Sequence, residues 1–84
     1  MKLSIKAFAL ASGLIWAAAV LVTGVINLNS PGYGEHFLNM VSSIYPGYDV
    51  SPAMASVLIG TAYAFVDGLV GGVVFSWLYN KLSS

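Results

Sequence analysis

The sequence predicts an all-α membrane protein: a two-transmembrane-helix antiparallel hairpin with a short interfacial helix in the connecting loop. Three observations carry that expectation. Of 84 residues, 58% are hydrophobic and 7% charged, whereas an ordinary soluble domain has about a quarter charged. A chain this short cannot bury so many apolar side chains in its own core. Two apolar segments, 7–28 and 53–80, each exceed the roughly 20 residues that cross a 30 Å hydrocarbon layer as a helix. Finally, Lys2, Lys6 and Lys81 flank the outer ends of these segments, and the stretch between them holds no lysine or arginine.

The first segment is expected to be helical because two isolated segments cannot close a barrel, and only a helix satisfies its own backbone in lipid. Lys2 and Lys6 before an apolar run, followed by Ala17-Ala18-Ala19, resemble a secretory leader. The run continues past Ala19 to Ile26 without a polar cleavage region, which favours a retained span. The lysine distribution predicts that both termini face the cytoplasm.

The loop, 29–52, carries Pro31-Gly32-Tyr33 and Pro46-Gly47-Tyr48, each a turn signal. Between them, at about 35–45, Phe37, Leu38, Met40, Val41, Ile44 and Tyr45 share one side of a helical wheel, opposite Glu35, Asn39, Ser42 and Ser43. That pattern predicts an amphipathic helix in the membrane interface, with its tyrosines at headgroup level.

In the second segment Ser56, Gly60, Ala64, Gly68, Gly72 and Ser76 recur every four residues, and Gly71 widens the face. Such stripes let helix backbones approach closely. Four residues advance about 40° beyond a full turn, so the stripe winds and is expected to exceed what one partner helix covers. The expectation is therefore a homo-oligomer or packing into a larger complex, with Gly13 on the matching face of the first segment. Ile59, Val66, Leu69, Val70, Val73 and Trp77 form the opposite, lipid-facing side.

Asp67 stands alone in the middle of this apolar segment. A carboxylate at a bilayer centre costs about 2.5–3.5 kcal/mol on insertion scales, so it needs a partner or a task. Counting residues from the lysine-bearing end puts Trp16 at a similar depth, and its indole N–H needs an acceptor. A Trp16–Asp67 hydrogen bond is expected, with Tyr63, one turn earlier, as a second donor. The site then acts as a neutral interhelical clasp; proton or ion handling by an oligomer, or contact with another protein, are the alternatives.

Catalytic patterns are missing from the sequence. His36 is the only histidine and cysteine is absent, and His36, Glu35 and Asp49 make no ordinary zinc set. Neither an enzyme nor a cofactor is expected. With a formal net charge of zero there is no basic surface for nucleic acid.

The stretch Asp-Gly-Leu-Val-Gly-Gly-Val-Val-Phe-Ser-Trp-Leu-Tyr-Asn, from Asp67 to Asn80, resembles a family of small bacterial two-span proteins labelled bacteriophage holin. The opening from Met1 to Phe8 is similar as well. The likeness covers both spans and is most specific in the C-terminal third. It implies assembly in the bacterial cytoplasmic membrane and, for a holin, opening of lesions that release a lytic enzyme. Together these readings predict a self-associating membrane protein with a holin-like pore or scaffold role. The alternatives are an accessory subunit of a larger membrane complex and a proton-handling oligomer built on Asp67.

Overall fold

A computed structural model describes residues 2–46 and 54–83. The described residues form three helices: α1, Ile5–Asn29; α2, Glu35–Ile44; and α3, Met54–Leu82. The second loop turn beyond Pro46, Asp49, and residue 53, where the second segment was expected to begin, lie outside the described residues.

Local chemistry sets the ends of α1. The Ser4 hydroxyl accepts from the Ala7 N–H at 3.2 Å, and the Ser30 N–H caps the last turn on the Ile26 carbonyl at 2.8 Å. Pro31 follows, with no N–H to continue the ladder. The chain then reverses through Gly32 and Gly34, with φ of 97° and 64°, a region that L side chains rarely adopt. The Asn27 amide pins this turn by donating to the Tyr33 carbonyl at 2.9 Å. A Cβ at Gly34 would collide with the Thr23 Cγ2, so glycine is required there by space as well as by φ.

α1 and α3 pack antiparallel along a seam of small residues. α1 buries Ala9, Gly13, Ala17, Val20 and Gly24, and α3 buries Val57, Gly60, Ala64, Gly72 and Ser76. Gly13 lies against Gly68, Ala9 against Gly72, and Gly24 against Val57. A methyl group on Gly68 would sit 2.7 Å from the Gly13 Cα, so the two backbones touch. Ser12 closes the seam by donating to the Gly68 carbonyl at 2.7 Å.

This corrects the expectation that one helix cannot cover the winding stripe. Gly60, Ala64, Gly72 and Ser76 are buried and Gly68 is half-buried against Gly13, so α1 stays in contact along it. A repeat longer than 3.6 residues winds right-handed, and a partner that winds equally stays in contact. Leu69, expected to face outward, is half-buried against Gly13.

The two ends of the hairpin are tied together. The Asn80 side chain accepts from the Leu3 N–H at 2.6 Å and donates to the Leu3 carbonyl at 2.8 Å. Phe8 stacks on Phe75, with ring centroids 5.1 Å apart.

The distribution of side-chain size inverts that of a soluble core. Small residues line the seam, while Leu14, Ile15, Val22, Leu58, Val66, Val70 and Phe75 are all more than half exposed. The two long helices have mean hydropathies of 2.2 and 1.8, yet only 28% and 22% of those stretches are buried within the chain. Both are long and apolar enough to cross a membrane.

Helix α2 folds back onto the flank of the hairpin. Gly34 starts it against Thr23, and Leu38, Val41 and Tyr45 turn inward and are buried. Val41 and Tyr45 join Val20 of α1 and Ala64 of α3 in one apolar cluster. Met40 and Ile44, grouped with the apolar side in the sequence, stay 49% and 62% exposed, so the apolar side is wider than the face the hairpin covers.

Candidate functional site

The polar groups of this fold converge where α1, α2 and α3 meet. Trp16 lies midway along α1 and Asp67 midway along α3. Between them stands Tyr45, the residue that ends α2. The Trp16 Nε1–H donates to the Tyr45 hydroxyl at 2.8 Å, and that hydroxyl donates to Asp67 Oδ2, also at 2.8 Å. A phenol can accept and donate at once, so one side chain partners both the indole N–H and one oxygen of the carboxylate.

The expected direct bond between Trp16 and Asp67 is therefore corrected: the two share the site through Tyr45. Its position also corrects the headgroup placement of this tyrosine, which is 5% exposed at the middle of the hairpin. The physical reason is the fold-back at Gly32 and Gly34, which aims the end of α2 at two groups that need a partner. Tyr63 serves differently from the expectation. It supplies a ring face, stacked on Tyr45 with centroids 5.4 Å apart and planes within 18°. Phe37 meets Trp16 edge-on at 5.7 Å.

Tyr45 was the residue that sequence reasoning missed. It was counted with the apolar side of α2, although a tyrosine on an inward face must find a partner for its hydroxyl. Burial pushes its pKa above the tyrosine norm of 10.0; the Trp16 donor lowers it, and the hydrogen bond and charge of Asp67 raise it again. The hydroxyl therefore keeps its proton and remains a donor to Asp67 throughout the neutral range.

Asp67 lies at the edge of the α1–α3 contact and is exposed. Tyr45 occupies Oδ2, and among the described residues Oδ1 has no hydrogen-bond partner. The carboxylate borders an open groove of about 500 Å³ that continues toward the Phe8–Phe75 stack and is otherwise almost wholly apolar. Gly68 and Gly72 line this groove from the seam, and Gly71 opens onto it with nothing within 4 Å of where a Cβ would stand. Of the expected packing residues, Gly13, Gly60, Ala64, Gly68, Gly72 and Ser76 thus belong to the seam inside the hairpin, and Gly71 does not. Ser56 is half-buried near its start.

Glu35 and His36 are exposed on the first turn of α2. Among the described residues no three of His, Cys, Asp and Glu come together in a metal-binding group.

No protein-family model matches the chain, and comparison with curated proteins and with solved structures finds no match.

Proposed function

We propose that this chain is an integral membrane protein that serves as a small accessory subunit, packing against the helices of a larger membrane assembly. The observation that carries the reading is the groove beside Asp67. The hairpin turns most of its small-residue stripe inward, yet among the described residues leaves one carboxylate oxygen without a partner and an uncovered glycine on an apolar flank. The hydrocarbon of a bilayer offers a carboxylate no hydrogen bond, so at mid-span the group calls for another polypeptide.

Placement in the bilayer follows the same logic. The large outward side chains of α1 and α3 suit lipid, and Lys2, Lys6 and Lys81 gather at one end, which the positive-inside rule puts in the cytoplasm. The bacterial cytoplasmic membrane suits the holin-like resemblance of Asp67 to Asn80. Helix α2 then lies in the outer half of the bilayer near the interface, with Met40 and Ile44 toward lipid and Tyr45 toward the hairpin.

The second reading is self-association with a holin-like pore or scaffold role. That resemblance favours it, together with Gly71, a small residue left open to a neighbouring copy.

Mass measurement of the native complex in mild detergent separates the two. An accessory subunit comes with a stoichiometric foreign membrane chain. A pure homo-oligomer, together with depolarisation of cells on expression, would overturn this reading in favour of the second.

A further inference from the structure

The chemistry of the groove also specifies its occupant. Resting on the accessory-subunit reading, we propose that the groove receives a foreign transmembrane helix that carries a basic side chain, lysine or arginine, near its middle.

Charge complementarity makes the argument. Asp67 borders the groove at the midpoint of the hairpin, and among the described residues its Oδ1 has no hydrogen-bond partner. The other polar side-chain groups along it are already engaged: the Ser12 hydroxyl donates to the Gly68 carbonyl and the Trp16 indole to the Tyr45 hydroxyl. The remaining lining, with Phe8, Ile15 and Phe75 beside Gly71 and Gly72, is apolar. A partner must therefore be apolar along its length and offer one cationic or hydrogen-bonding group at the level of Asp67. An ammonium or guanidinium against a carboxylate in low dielectric is the strongest such match.

The chain itself offers no such group. Lys2 donates to the Asn80 carbonyl, Lys6 stands in the first turn of α1 and Lys81 lies 5.0 Å over the Trp77 ring, all at the terminal end of the hairpin. From Asp67 to Lys81 is about 21 Å along a helix. Because Asp67 is central, a second copy presents its own middle whichever way up it packs, and that middle has no basic residue. A second copy therefore brings no cation to Asp67, and a foreign helix with a central base is the better match. Gly71 supplies the room, since a helix backbone can approach where no side chain stands.

The full chain, reconstituted in phosphatidylcholine vesicles with a donor dye at one terminus, tests this against acceptor-labelled host helices of about 20 leucines and alanines. One host carries a single central lysine and the other a leucine there. The lysine host is expected to bind about tenfold more tightly, equivalent to about 1.4 kcal/mol. Asp67→Asn should bring the two hosts within about twofold of each other, Asp67→Glu should retain the preference, and Gly71→Leu should block both, all with parental helicity. Equal binding of the two hosts overturns the proposal, as does a lysine preference that survives Asp67→Asn. So does displacement of the lysine host by a long-chain alkylamine at equal membrane density, which would make the groove a site for amine lipids. A native complex whose partner lacks a central base, combined with equal host binding, would remove this inference and leave the accessory reading standing. A native homo-oligomer whose vesicle-reconstituted chain still prefers the lysine host would do the reverse.

Discussion

Tyr45 and Asp67 are separated by 22 residues in sequence, and their oxygens lie 2.8 Å apart. Together with the Trp16 indole, that contact ties the end of α2 to the middles of α1 and α3. Tyr45→Phe keeps the ring stack on Tyr63 but deletes both hydrogen bonds, leaving the indole N–H and the carboxylate without their partner. A loss of about 1–3 kcal/mol is expected, read by denaturant titration of the circular dichroism signal. Trp16→Phe removes one bond and its donor together, so it should cost less. Equal stability of Tyr45→Phe and the parent would show that the contact does not hold α2.

Alkaline pH should release the same contact. The folded-state pKa of Tyr45 is raised above 10.0, so its contribution is fully present below pH 10 and is lost as pH rises through the higher folded value. Ionisation removes the donor and sets a phenolate against Asp67. In a Trp77→Phe background, Trp16 emission should therefore shift above pH 10, and the shift should vanish in Tyr45→Phe.

The seam and the groove predict opposite outcomes for two neighbouring glycines. Gly68→Ala drives a methyl group to within 2.7 Å of the Gly13 Cα, and the helices must separate, at about 1–3 kcal/mol. Gly71→Ala meets open space and should change stability by less than about 0.5 kcal/mol. Parallel denaturation of the two variants checks the assignment, and a reversed order would contradict the register of α1 on α3.

Gly32 and Gly34 separate two effects in one turn. Gly32→Ala meets nothing within 4 Å and bears only the positive φ, about 1–2 kcal/mol. Gly34→Ala adds the collision with Thr23 and should be the more damaging. Thr23→Ser removes the clashing methyl and should bring Gly34→Ala back to the level of Gly32→Ala. Limited proteolysis between α1 and α2 reads this out directly.

The elements themselves were legible because their signals are local. Hydropathy marked both long helices, and the wheel of residues 35–45 marked α2. Depth counting also brought Trp16 and Asp67 to one site. What escaped was set by tertiary geometry. The stripe from Gly60 to Ser76 reads the same whether its partner is α1 or another molecule, and only the contacts of Gly68 with Gly13 and of Gly72 with Ala9 show that α1 meets it. Tyr45 escaped because the reversal at Gly34, enforced by Thr23, decides where α2 points, and no periodicity within α2 records that.

The position of Tyr45 in the chain has a consequence for the order of synthesis. Trp16 and Tyr45 leave the ribosome before Asp67, which follows 22 residues after Tyr45, or about one to four seconds later at ordinary elongation rates. During that interval the indole and the phenol can already meet outside the ribosome, while the acid that completes the set has yet to emerge. The first half of the chain thus emerges with the Trp16 and Tyr45 donors, and α3 follows with the carboxylate that Tyr45 bonds and the Tyr63 ring on which it stacks.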